Sequence, residues 1–150
     1  MISSVYVANN ILKKGLENDV DVTPLKLQKL VYFVYKAYLK KTGRGLFSEP
    51  FETWTHGPVA PSIYVEFNSY GDRPIKSFAS DSQGRCYIVT ETGHFKECLD
   101  KVWDEYSEYS GTSLSEFTHQ KGMAWTKAKE KGQRYLDVGD IKNEPEPQKN

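Results

Sequence analysis

The segment from Thr23 to Gly43 constrains the fold more than any other part of this sequence. Thr23 can accept a backbone N–H as an N-cap, and Pro24 suits the first helical position because no intrahelical bond needs its missing N–H. Gly43 is the expected terminator, and the two lysines shortly before it lie favourably against the negative end of the helix dipole. We therefore predict a long helix from about Leu25 to Lys41.

This predicted helix is apolar over most of its circumference. At about 100° per residue, its basic side chains fall on one narrow strip, formed by Lys26, Lys29, Lys36 and Lys40. A helix with so little polar surface lies in the middle of a domain. We therefore predict a mainly α fold with minor β structure, a compact helical domain packed around this central helix.

Two residues of the helix depart from its pattern. Phe33 falls among the lysines, so either a neighbouring segment covers it or it is an exposed aromatic that contacts a protein partner. Gln28 falls on the apolar side, and a buried amide needs hydrogen-bond partners. We expect backbone groups of the bend at Trp54–Val59 to supply them, which gives Gln28 a structural role.

The rest of the chain carries further helix signals and two β-prone segments. Apolar residues at helical spacing predict shorter helices at about 4–15, 61–71, 92–106, 113–121 and 125–131. Residues 51–55 and 86–90 favour extended structure, and we expect them to form a small β-hairpin or short sheet. One domain is predicted at residues 2–136. Residues 137–150 have little to bury and are expected to form a flexible C-terminal tail.

Composition excludes several classes of function. The 20 basic and 20 acidic residues give no net charge, which argues against a nucleic-acid partner. Two cysteines are too few for a disulfide framework or a four-cysteine zinc site. The apolar runs are too short for a membrane span and the N-terminus has no signal-peptide pattern, so a cytoplasmic location without membrane contact is expected.

Motifs for nucleotide binding, metal binding and nucleophilic catalysis are missing from the sequence. Thr118 and His119 are neighbours in sequence, but adjacent helical residues do not face each other. His119 is expected to hydrogen-bond locally and to support packing near Trp125. We therefore expect a protein that is not an enzyme, with no catalytic residues, no cofactor and no metal.

Four blocks of the sequence carry a family resemblance. They are Val7–Leu12, Leu25–Phe33, Phe51–Val59 followed by Tyr64, and Leu114–His119 followed by Trp125 and Ala128. Together they resemble the Panacea domain of SocA-type antitoxins and phage-associated GepA-like proteins. The combination of LKLQKL-x-YF with W-x-HGPV is specific, and the resemblance spans about residues 3–130.

The resemblance implies a bacterial or phage antitoxin that neutralises a separately encoded toxin by direct protein–protein contact. Two alternatives stay open. A SocA-like member can instead be a proteolytic adaptor that delivers its partner to a ClpXP-type protease, and a prophage accessory protein of other function is also compatible. The family has no established catalytic residues to carry over.

The candidate partner-binding surface combines the central helix with the W-x-HGPV segment. Its residues are Lys26, Lys29, Phe33, Lys36, Trp54, His56 and Tyr64. Aromatic side chains would supply affinity, and lysines would steer an acidic partner.

A second group of residues is expected to be structural. Its members are Gln28, Gly57, Pro58, Val59, Thr118, His119 and Trp125. Among them, Gly57 and Pro58 are expected to shape a bend that seats Trp54 in the core.

Overall fold

Residues 2–149, which a computed structural model describes, form seven α-helices and one two-stranded antiparallel sheet. The elements are α1 (Ser4–Asn18), α2 (Pro24–Thr42), β1 (Glu52–Trp54), β2 (Gly57–Val59), α3 (Pro61–Phe67), α4 (Gly93–Tyr106), α5 (Gly111–Thr118), α6 (Ala124–Glu130) and α7 (Val138–Lys142), with a 3-10 turn at Asn68–Tyr70. The predicted mainly α class with minor β structure is confirmed. None of the helices in this part of the chain is both long and apolar enough to cross a membrane.

Helix α2 occupies the centre of the fold, as the sequence predicts. The side chain of Thr23 accepts the Lys26 N–H, Pro24 is the first helical residue, and Gly43 ends the helix in a left-handed conformation with φ 76°. Helices α1, α3, α4, α5 and α7 and strand β2 all pack against α2. Its apolar circumference is therefore covered by most of the molecule.

Aromatic rings fill much of the space around α2. The ring of Phe33 stacks on Tyr106 of α4 with centroids 4.3 Å apart. On the other side of the helix, the ring of Phe51 meets Tyr32 and Tyr35 nearly edge to face, each at 5.1 Å. Such pairs add to the large apolar area that each ring buries, so the core is built from aromatic contacts as much as from aliphatic ones.

The small sheet is a local hairpin. Strand β1 pairs with β2 in antiparallel register, so that Glu52 lies opposite Val59 and Trp54 opposite Gly57. The expected pairing of 51–55 with 86–90 is therefore wrong. The two-residue connection brings β2 to β1 at little entropic cost, whereas the other segment would have to close a much longer loop.

Side chains of α1 hold the 86–90 segment instead. The Asn9 amide donates to the carbonyls of Ala79 and Tyr87, at 3.0 and 2.9 Å. The Asn10 amide donates to the Val89 carbonyl and accepts the Val89 N–H, both at 2.9 Å. Two buried amides thus supply the hydrogen bonds that a neighbouring strand would have supplied.

The C-terminal residues also differ from the expected flexible tail. Residues 138–142 form α7, whose N-cap Asp137 accepts the Asp140 N–H. Ile141 is 1% exposed and Glu144 is 3% exposed, so both are buried. Their contacts lie on distant elements, which composition alone does not reveal. Asn150 lies outside the described residues.

Candidate partner-binding surface

Most of the predicted basic strip on α2 is buried. Lys29 is completely buried, and its Nζ donates to the Pro58 carbonyl at 2.8 Å. Lys26 is also buried and donates to the Ser107 carbonyl. Lys40 at the end of the helix is exposed. The strip is therefore not the partner-facing surface that the sequence suggested.

Phe33 and Lys36 are covered by neighbouring segments. Phe33 is 1% exposed beneath the stacked ring of Tyr106, so the alternative of a covered aromatic is the correct one. The Nζ of Lys36 forms an ion pair with Glu144 at 2.9 Å, with both side chains almost fully buried. Because α4 and the C-terminal segment cover this face, neither residue is accessible to a partner in this structure.

Gln28 has the backbone partners that a buried amide needs, but they lie one residue beyond the predicted bend. Its amide donates to the Ala60 carbonyl at 3.0 Å and accepts the Ala60 N–H at 2.9 Å. Ala60 directly follows Val59, which ends the predicted bend. The buried amide is thereby fully engaged and fixes the start of α3 against α2.

The hairpin sits on the buried part of the strip. Gly57 adopts φ 113°, and a Cβ at this position would lie 2.7 Å from the Thr118 Oγ1 and 2.8 Å from the Lys29 Cε. Pro58 is buried directly above the Lys29 amine. Only glycine meets both the backbone conformation and the close approach, which explains the Gly-Pro pair in W-x-HGPV.

Helices α5 and α6 clamp the hairpin from the other side. The Nε1 of Trp125 donates to the Trp54 carbonyl at 2.8 Å. The Nε2 of His119 lies 3.0 Å from the Thr55 carbonyl, and its Nδ1 lies 2.6 Å from the Ser115 carbonyl. The predicted local role of His119 and its packing against Trp125, at 3.9 Å between ring centroids, are present.

Thr118 and His119 lie within reach of each other, although they are adjacent in sequence. The Thr118 Oγ1 is 3.2 Å from the His119 Nδ1. Each of the two atoms has a nearer partner, the Ser115 carbonyl at 2.6 Å, to which the Thr118 hydroxyl donates. Because the His119 Nε2 lies beside the Thr55 carbonyl, the pair also connects the end of α5 to the hairpin.

Trp54 lies at the surface of this clamp. The expectation that the bend seats Trp54 in the core is wrong, because the side chain is half-buried and its Nε1 donates to Glu52 at 2.8 Å. Its ring meets Tyr64 of α3 edge to face, with centroids 4.7 Å apart. Tyr64 is 43% exposed, and His56 at the hairpin tip is exposed. The structure thus brings together the three accessible members of the predicted partner-binding set.

These three residues line a groove of about 470 Å³ between the hairpin, α3 and the start of α2. Leu25, Val59, Ile63 and Phe67 supply the rest of its apolar wall. The described lining contains Lys29 and His56 as basic residues, and it contains no carboxylate. The groove is therefore mainly apolar, and His56 is the exposed basic residue of its described lining.

Burial lowers the pKa of Lys29 to about 7. Desolvation disfavours the charged ammonium, and the carbonyl of Pro58 is a weaker partner than a carboxylate. The pKa of Lys26 is also lowered by burial, although the charges of Glu108 and Asp21 oppose the effect. The amine below the hairpin is therefore close to half-protonated at neutral pH.

The sequence predictions omitted part of this groove and one buried acid. Ile63 and Phe67 already stood at helical spacing beside Tyr64, and that spacing could have placed them on the same face. No sequence signal marked Glu144, because its hydrogen-bond partners lie between 20 and 112 residues away along the chain.

The fold and the site define a helical domain with a clamped aromatic hairpin beside an apolar groove. The chain belongs to the antitoxin SocA-like Panacea domain family, whose sequence model matches residues 27–126. It is 30% identical over 124 residues to antitoxin SocA of Caulobacter vibrioides. The alignment covers 79% of this chain and 66% of the relative. The chain thus matches slightly less than two thirds of that relative's length. No solved structure matches the chain.

Proposed function

We propose that this chain is an antitoxin that neutralises a separately encoded toxin by direct binding, without catalysis, at the groove beside the hairpin. The family and the relative named antitoxin SocA support the general role. The observation that carries the finer proposal is the accessible edge-to-face pair of Trp54 and Tyr64 on the wall of an apolar groove. Tryptophan and tyrosine are the residue types that most often dominate binding energy at protein interfaces.

The surroundings of the pair suit a protein interface. Hydrogen bonds from Trp125 and Ser115 hold the hairpin backbone at Trp54 and His56. A surface that is already ordered loses little conformational entropy on binding, so more of the contact energy appears as affinity.

Co-expression with the product of the neighbouring gene tests the proposal. We expect that product to stop growth alone, and the wild-type chain to restore growth and to co-purify with it. Tyr64→Ala should weaken the complex by about tenfold or more, because it removes an interface anchor. Tyr87→Ala, at a tyrosine of similar exposure outside the groove, is the matched control and should bind like the wild type.

The amount of toxin separates direct occlusion from the adaptor mechanism. Occlusion leaves the toxin level unchanged while its activity disappears, whereas delivery to a ClpXP-type protease lowers the level. Immunoblots of the toxin in cells with and without that protease make the distinction. A neighbouring gene product that is harmless alone and does not bind the chain would refute the antitoxin proposal.

A further inference from the structure

A buried carboxylate contacts α2 further along the helix than the hairpin groove, which lies at its start. The Oε1 of Glu144 accepts the Tyr32 hydroxyl at 2.8 Å and the Ala124 N–H at 2.9 Å. Its Oε2 accepts the Lys36 Nζ at 2.9 Å. Three donors from α2 and the start of α6 thus converge on one carboxylate, and charge-assisted bonds of this kind are among the strongest in proteins.

The rest of the C-terminal segment lies extended over the same face. The Nζ of Lys40 donates to the carbonyls of Lys142 and Glu144, both at 2.7 Å. Further along, the Gln120 amide donates to the Gln148 carbonyl at 2.8 Å and accepts its N–H at 2.9 Å. One side chain held in a pocket and a backbone held by donors on either side is the arrangement by which domains recognise extended peptides.

Few residues of the segment are buried. Among residues 143–149, only Glu144 and Pro147 are buried, and the segment forms no helix or strand. Segments with few buried contacts open at a lower free energy than the core. The two prolines also keep the chain extended in the free state, which lowers the entropic cost of binding.

The Nζ of Lys149 pairs with Glu105 of α4. We propose that the cleft formed by Tyr32, Lys36 and Lys40 of α2, Glu105 of α4, Gln120 and Ala124 recognises an extended segment in which Glu precedes Pro. Residues 143–149 are its resident ligand, and a segment of the same chemistry from a partner protein replaces them. The cleft shares no residue with the hairpin groove. The inference therefore does not depend on the proposed antitoxin function.

The test uses the full chain with Glu144→Gln, which weakens the binding of the resident segment to the cleft. The probe is a fluorescent peptide of residues 141–149. We expect the peptide to bind this variant in fluorescence anisotropy. It should bind the wild-type chain about tenfold or more weakly, because a tethered segment competes at an effective concentration in the millimolar range.

Two matched peptides identify the group that is recognised. Glu144→Gln in the peptide should weaken binding about tenfold or more, because it removes the charge that three donors face. Glu146→Gln removes the same charge at an exposed position, and should change binding by less than about twofold. Lys36→Met in the chain should abolish binding, and Lys131→Met at an exposed site should not.

Equal binding of the two peptides, or no binding to a chain whose circular dichroism is native, would overturn the proposal. Should Glu144→Gln not fold, hydrogen exchange of the wild-type chain decides the question. Excess peptide should speed exchange at the Gln148 amide of the displaced segment, which the Gln120 side chain protects, while the Ala124 amide stays protected by the incoming carboxylate. Unchanged exchange at Gln148 would equally overturn it.

Discussion

Lys29 and Gly57 lie close together where the central helix meets the hairpin. The Lys29 amine donates to the Pro58 carbonyl, so its partner is a carbonyl rather than a carboxylate. Burying a charge without an opposite charge is costly, which is why the pKa falls. The two residues therefore predict how the free energy of unfolding depends on pH and on the size of the side chain at position 57.

The buried lysine predicts a stability that rises with pH. Its pKa falls from 10.5 to about 7 on folding, so the unfolded chain binds more protons between these values. The full cost of burying the ammonium destabilises the fold below pH 7. This cost falls as pH rises, because the buried amine loses its proton. Relative to Lys29→Met, the wild-type chain should gain about 2 kcal/mol in free energy of unfolding between pH 7 and pH 9.

Urea unfolding of both proteins at the two pH values measures this gain. Taking the difference between the proteins cancels the titration of Lys26, whose pKa burial also lowers. The pKa values of buried Tyr32 and Tyr106 are raised by desolvation, so pH 9 stays below their titration. If the difference in free energy of unfolding between the two proteins did not change with pH, folding would not desolvate the Lys29 ammonium.

Gly57→Ala should destabilise the protein by about 2–4 kcal/mol, because the added methyl meets Thr118 and Lys29 in an unfavourable backbone conformation. Gly43→Ala is the control. Gly43 also has positive φ, at 76°, in the left-handed region with open space around it, so only the backbone cost of about 1–2 kcal/mol is expected. Denaturant unfolding compares them, and equal losses would contradict the close contact.

At the scale of elements, helix side chains hold two segments that are not helical. The 79–90 stretch depends on Asn9 and Asn10 of α1, whose amides form five hydrogen bonds with its backbone. The hairpin depends on α5 and α6 in the same way, through Ser115, His119 and Trp125. Helices thus position the irregular segments through side chains that face them.

Asn9→Ala should release the loop while leaving the hairpin in place. The variant loses the hydrogen bonds to Ala79 and Tyr87. Their backbone groups are then either exposed to water or left without a partner, at a cost of about 1–3 kcal/mol. Hydrogen exchange at residues 79–89 should become faster, with that of β2 unchanged. Asn18→Ala, which removes only an exposed amide, should change neither; faster exchange everywhere would contradict a local role for Asn9.

At the scale of the whole molecule, stability rests on the rings packed around α2. Phe33→Ala removes the ring that stacks on Tyr106 and leaves a cavity between α2 and α4, so a loss of about 3–5 kcal/mol is expected. Leu16→Ala, at a side chain that is 75% exposed, should lie within about 0.5 kcal/mol of the wild type. Thermal unfolding measures both, and a small loss for Phe33→Ala would place the main packing elsewhere.

The sequence by itself determined the features that depend on neighbouring residues. The limits of α2, its caps and its apolar circumference follow from residues within a few turns of each other. The sequence also predicted that Gln28 needs backbone partners, which lie at Ala60, one residue beyond the predicted bend. The family motif follows from the same local blocks.

Only the tertiary structure decided which polar groups are buried and which segments pair. Lys36 meets Glu144 across 108 residues, and Lys29 meets Pro58 across 29. A helical projection shows the angle at which a lysine leaves α2, but it does not show which segment will cover that angle. The basic strip, the strand partner of β1 and the order of the C-terminal residues therefore depended on contacts between distant parts of the chain.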